Sequence, residues 1–573
     1  MEAPGPAADR TRRGRARRPG VPILRVGHGA ESAWSDHLAP GSQSSQAGRA
    51  YRPPSTGRSG NAPIVDLTAS PRPISDEGLP APSRLALALI SASALLPSGP
   101  PASAASILQY HRDLARDGVY VDAALTRATA ATLHRDPTFT ATTQGATYAQ
   151  PLYLDDASSG RDLILVATEE NRVYALDATT GAPVWSRQLA APVPLSALPC
   201  GNIDPLGITG TPVIDPASRT VFLDAMTAPD ARHLVFALSV DDGATRPGYP
   251  VDVAAALARR GRAFDSAVQN QRGALALVAG TVYVPYGGHF GDCGNYHGWV
   301  VGIPVADPGA VRAWRTKARG GGVWAPGGVA SDGTSLFVTT GNTFGAARWG
   351  GGESIIRLRP RLVFGARRAD HFTPPDWRAL DANDVDLGGT APILFDLPGA
   401  HPSALVVALG KNGKAYLANR TKLGGVRRAP ASATVASGAI ITGAAAYTTP
   451  TATYVVFKGA GARCPGRAGD LTAIRIGAAS PPTIATAWCA TQHGTGSPMV
   501  TTLDGHAEAI VWSVGAEGDG RLHGFDGDTG ELVFAGDGAD DVMGPIARFA
   551  TPIAAKGRVF VAGMSAVYAF KPQ

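Results

Sequence analysis

Charge is scarce in this chain of 573 residues: 17% of positions are charged and 7% are aromatic, against 44% hydrophobic. A chain so poor in charge and so rich in apolar residues is not disordered throughout, and it can bury a large core. No unbroken run of about 18 apolar residues occurs, which excludes a polytopic membrane protein. Only 4 cysteines are present, no two of them adjacent, and no C-x-x-C-H haem site exists. A G-x-S-x-G elbow, an H-E-x-x-H helix, a P-loop and an EF-hand loop are missing too, so the usual hydrolase, metalloprotease, nucleotide and Ca²⁺ signatures are out. What the chain has in plenty is turn residues. Its 70 Gly and 46 Pro make about a fifth of the whole, a composition of many short strands joined by turns and not of long helices.

The formal charge of +6 resembles a nucleic-acid signal until it is divided along the chain. Residues 1–83 hold 11 Arg against 7 acidic residues, leaving +2 for the rest, so the body is nearly neutral and no nucleic-acid partner is expected. Residues 1–83 carry no hydrophobic period and are crowded with Arg, Pro, Gly and Ser. They form a disordered basic extension, and Arg10–Arg18 reads as a solvated tail. Arg84 then precedes the twelve-residue apolar run Leu85–Leu96, followed by Pro97, Pro100 and Pro101 and the small residues Ala102–Ser106. That order is a signal peptide over 84–105. Twelve residues span about 18 Å as a helix, too short for a hydrocarbon core of about 30 Å, so no transmembrane anchor is expected. Translation is expected to start near residue 80, a long leader being the other reading. No Cys follows before Cys200, which disfavours a lipid anchor.

From residue 106 onward the chain repeats. One unit holds Leu163–Ala167, Arg172–Asp177, a Thr180-Gly181 turn and Val184-Trp185. The strand ending at Asp177 recurs at Leu234, Trp299, Ser354, Lys414, Leu471, Arg521 and Ala566, which makes eight copies. Each later copy follows another apolar strand, and Pro-containing starts such as Gly210–Ile214, Thr390–Leu394, Gly496–Val500 and Ala550–Ile553 lie before those. Four strands in eight units specify an all-β, eight-bladed β-propeller over 106–573. The last copy has no fourth strand of its own, while Thr138–Thr143 stands spare before the first, so the spare strand is expected to close the ring.

Ala175–Trp185 (ALDATTGAPVW) resembles the A-x-D-x-x-T-G-x-x-x-W docking motif of pyrroloquinoline-quinone (PQQ) repeat propellers, and Gly524–Phe534 is a looser copy. The phrases around Tyr148, Gln269–Arg272, Tyr296–Trp299 and Gly410–Gly413 are similar to those of an exported, PQQ-like group. The motif residues read as structural. Asp177 and Asp526 accept backbone N–H bonds in their turns, Gly181 and Gly530 permit the left-handed conformation, and Trp185 and Phe534 pack between blades.

In a four-stranded blade the connections alternate between the two faces of the disc. If the Thr-Gly turns mark one face, the blade-to-blade links and second-to-third loops lie on the other. That loop-rich face gathers Arg272, Trp324 and His493 on links, and His289, Asp292, His297, Asn342, Lys411 and Asn412 on loops. The resemblance implies that this is the face where quinoproteins hold PQQ. PQQ is a planar tricarboxylate that needs cations, an aromatic floor and Ca²⁺; Arg272, Lys411 and Trp324 are candidates for the first two. All four cysteines fall there as well, and in an exported chain the blade layout pairs Cys200 with Cys293 and Cys464 with Cys489, free thiols being the other reading. His289, Asp292 and His297 match no metal spacing, and Asp381–Asp386 lacks the glycine and distal glutamate of an EF-hand, so both read as solvated loops.

The functional expectation is an exported, monomeric, non-catalytic propeller that binds a protein, glycan or small ligand on its loop-rich face. The alternative is a PQQ-dependent oxidoreductase with Ca²⁺. A third reading, a scaffold for outer-membrane protein assembly, lacks the lipoprotein cysteine.

Overall fold

The alternation that marks each repeat resolves into antiparallel strands in a computed structural model, which describes residues 106–573 except 157–158 and 366–367. The basic extension and the signal-like segment lie outside the described residues. Blade 1 runs Leu152–Leu154, Leu163–Ala167, Arg172–Asp177 and Pro183–Gln188 from inside to outside. Seven further sheets follow in chain order, their innermost strands beginning at Val213, Ala276, Ala330, Ile393, Ala444, Met499 and Ile553. This is the eight-bladed propeller expected.

Within each blade the middle strands are apolar on both sides, because each blade is covered by its two neighbours. Phe222, Val235 and Leu257 of blade 2 pack on Val284, Tyr286 and Trp299 of blade 3 in one such inter-blade core. The docking motif works as its chemistry requires. Asp177 Oδ1 accepts from the Thr179 and Thr180 N–H groups at 3.0 and 2.8 Å, and Gly181 sits at φ +78°. Trp185 then reaches blade 2, where its Nε1 donates to the Val240 carbonyl at 2.9 Å and its ring lies on Gly243. Asp526 and Gly530 repeat the turn in blade 7, and Phe534 packs towards Phe570 of blade 8.

Closure of the ring takes more chain than the spare strand. Ala141–Thr142 pairs with Val567 and Ala566 as expected, and Leu133–Arg135 extends the same edge against Phe570–Pro572. The N-terminal segment thus supplies the outer strand of blade 8.

Residues 106–122 do something the repeat pattern did not announce: they run inside the ring of innermost strands. Ile107 exchanges backbone hydrogen bonds with Tyr153 of blade 1. Carbonyls of Leu108, Leu114, Ala115, Asp117 and Gly118 then accept from the N–H groups of Ile214, Ser331, Leu394, Ala446 and Val500, in blades 2, 4, 5, 6 and 7. Blade 3 is reached through Arg116, whose Nη2 donates to the Leu275 carbonyl at 2.8 Å. Blade 8 is reached through Asp122, which accepts from Gly557 N at 2.7 Å. Each innermost strand has an open edge towards the axis, and this segment satisfies donors there that a wider channel would leave to water.

Candidate ligand-binding face

The mouth of the axial channel on the loop-rich face is built from the links that enter the blades. Arg272, on the link into blade 3, places its guanidinium 5.8 Å from the ring centroid of Phe549, on the link into blade 8. Blades 3 and 8 are not neighbours, so this contact lies across the mouth. Tyr110 of the axial segment meets the same link into blade 8, its hydroxyl accepting from Thr551 Oγ1 at 3.3 Å. Arg272 has no hydrogen-bond or ion-pair partner among the described residues, although a guanidinium carries five donors. Burial lowers its proton affinity, Tyr148 and Glu169 act in the other direction, and Arg548 adds to the lowering. Arg548 is itself held by Glu517 at 2.9 Å.

Glu169 occupies the second-to-third turn of blade 1 and is 1% exposed. Its Oε2 accepts from Gly207 N at 2.7 Å, while Oε1 has no partner among the described residues. Burial pushes its pKa up to about 7, against the Gly207 hydrogen bond, the nearby Thr209 side chain and the Arg272 charge. Thr147 Oγ1, Asn171 Oδ1, Thr209 Oγ1 and Gln271 Oε1 are likewise buried and unpartnered among the described residues.

A second group lies towards blades 4 and 5. Lys411 Nζ sits 5.5 Å from the Trp324 ring centroid and pairs with Asp386 at 2.8 Å and Asp384 at 3.0 Å. Asp386 also accepts from Asn342 N at 2.6 Å. Asn412 donates to the Tyr416 hydroxyl at 2.6 Å and caps its own turn. The histidines do not converge. His289 Nε2 donates to the Ala267 carbonyl at 3.1 Å, and burial pushes the ring down to about 4. His297 is buried beside Thr316 and Gln269, and His493, at φ +55°, lies 5.6 Å from the His523 ring. Asp292 accepts from the Tyr296 hydroxyl at 2.6 Å. The cysteines pair as the blade layout requires, Cys200 with Cys293 and Cys464 with Cys489.

Arg272 meets Phe549 while Lys411 lies against Trp324, and Tyr148, Glu169, Arg548 and Phe549, which surround Arg272, were not among the expected site residues. A signal existed for Glu169: it opens a Glu-Glu-Asn turn directly before the best docking motif. Nothing in the sequence marked Phe549, which reaches the site across the ring.

PQQ with Ca²⁺ fits this donor set poorly. Arg272 offers one carboxylate partner, but two aspartates already neutralise Lys411. Among the described residues no three His, Cys, Asp or Glu side chains are disposed to hold a metal ion.

A PQQ-repeat family model, described as outer membrane protein assembly factor BamB, matches residues 141–199. No curated protein matches the chain with significance. Among solved structures, the quinohemoprotein alcohol dehydrogenase from Comamonas testosteroni superposes with a TM-score of 0.56 at 16% identity, covering 82% of this chain and 81% of its own. The quinohemoprotein alcohol dehydrogenase ADHIIG from Pseudomonas putida HK5 gives 0.57 at 14% identity, covering 82% and 80%. A europium-containing methanol dehydrogenase gives 0.54 at 14%, covering 81% and 91%. At such identities the likeness is one of fold.

Proposed function

We propose that this PQQ-repeat-like β-propeller is an exported, non-catalytic binding module that takes its ligand at the axial mouth of the loop-rich face. One observation carries the reading: a half-buried arginine whose donors meet no acceptor among the described residues, set against Phe549 where links from opposite parts of the ring meet. A cation drawn partly out of water without a partner costs free energy, and such a cost is offset where a ligand supplies the acceptor. Export is supported by the two disulfides, which persist in oxidising compartments. Among the described residues no helix is long and apolar enough to cross a membrane.

The test adds PQQ and Ca²⁺ to the purified full chain and follows reduction of an artificial dye with primary alcohols. No reduction above the protein-free rate is expected. Turnover that depends on both additions refutes the non-catalytic reading and makes the chain a quinoprotein.

A further inference from the structure

We infer that the ligand of the axial mouth is a small carboxylate, bound by the Arg272 guanidinium in competition with the Glu169 carboxylate for the same cation. The inference rests on the binding reading above and names its chemistry. Three features of the mouth point to an anion. First, Arg272 has no ion-pair partner among the described residues, whereas Arg548 is spent on Glu517, and Lys411, in the other group, on Asp384 and Asp386. Second, a guanidinium presents a planar fork that matches two carboxylate oxygens, and the Phe549 ring beside it holds that fork without supplying an acceptor. Third, the local charge is positive by one when Glu169 is protonated, since Arg548 and Glu517 cancel.

Glu169 sets how positive the mouth is. The groups that face it are Gly207 N, Thr209, Tyr148 and Arg272, and those that face Arg272 are Tyr148, Arg548, Glu169 and, from the loop of blade 3, His289. His289 stays neutral around pH 7 because burial holds it near 4. Tyr148 is raised by burial and stays neutral too. Glu169, with a value of about 7, is the group that changes charge there. Below that pH the mouth is a cationic site; above it a fixed carboxylate already stands in the field of Arg272. If the ionised form excludes the ligand, the binding-competent fraction falls from about nine-tenths at pH 6 to about one-tenth at pH 8, a tenfold loss of affinity.

Benzoate and succinate, with benzylamine as the cationic control, are titrated into the full chain at pH 6 and pH 8 and read by calorimetry and thermal melting. At least one carboxylate is expected to bind at pH 6, raise the melting temperature by about 2–3 °C at a hundredfold excess over its Kd, and bind about tenfold more weakly at pH 8. Arg272→Gln should abolish the shift while melting at the wild-type temperature or above. Glu169→Gln should bind equally at both pH values. The inference is overturned if neither carboxylate binds, if benzylamine binds as well as benzoate, or if Arg272→Gln itself melts several degrees lower, which would make Arg272 a structural residue. Loss of carboxylate binding leaves the non-catalytic reading standing; PQQ-dependent turnover refutes that reading and leaves a carboxylate isotherm intact.

Discussion

Replacing Arg116 with methionine tests whether the axial segment is integral to the ring or merely lies in it. Arg116 is 1% exposed and donates to the carbonyls of Tyr110, Leu275 and Val329 at 2.7, 2.8 and 2.9 Å. Hydrogen bonds from a charged donor contribute about 1.5–3 kcal/mol each, so three give roughly 4–9 kcal/mol. Burial of the guanidinium offsets several kcal/mol of that. Methionine fills much of the volume and restores none of the bonds, so the expected net loss is about 3–5 kcal/mol. Unfolding entropy of about 2.1 cal/mol/K per residue over roughly 470 residues is close to 1 kcal/mol/K, which converts the loss to a drop of about 3–5 °C in Tm. The diagnostic readout is hydrogen exchange. The N–H groups of Ile214, Ser331, Leu394, Ala446 and Val500 donate to the segment from five different blades, and all five should lose protection together. A variant with unchanged Tm and unchanged protection at those five amides refutes the reasoning.

Three further outcomes follow from the same geometry. Removing the Cys200–Cys293 bridge, which closes 93 residues, should cost up to about 4.7 kcal/mol by chain entropy, against about 3.5 kcal/mol for the 25-residue Cys464–Cys489 loop; paired Cys→Ser variants compared by urea melts give the order. Trp185→Phe keeps a ring on Gly243 but loses the bond to Val240, and a cost of about 1 kcal/mol is expected in the same melts. Glu169 is raised from 4.5 to about 7 in the folded chain. The native state therefore holds a proton the unfolded chain releases, and this group's contribution falls as pH rises from about 4.5 to 7, by up to roughly 3 kcal/mol. Glu169→Gln should remove that slope, so the stability difference between variant and wild type, followed from pH 4.5 to 8, should grow with pH and then level off near 7.

Where chain order and spatial order coincide, local sequence was enough. The eight third strands, from Arg172–Asp177 to Ala566–Pro572, begin within two residues of the repeated apolar phrases, since a strand buried on both faces is a continuous apolar run that needs no partner to be recognised. The Asp177 and Asp526 turns were legible for a similar reason, an Asx turn being closed by atoms two and three residues away. The cysteine pairing followed once the blades were placed. The loop-rich face was legible only as a set of names, Arg272, Trp324, Lys411, Asn412, His289, His297 and His493; that Lys411 lies over Trp324 and Arg272 over Phe549 was not legible.

The amino-acid sequence alone therefore settled the repeat, the all-β class, the blade count and the structural role of the docking motif, because each depends on spacing along the chain. Tertiary structure alone decided that residues 106–122 line the axis, that Lys411 is spent on two aspartates, and that Arg272 meets Phe549 across the mouth. Arg272 and Phe549 are 277 positions apart, and only closure of the ring brings them together. Whether a cation is free or paired depends on such distances, and the ligand chemistry inferred for this face rests on that difference.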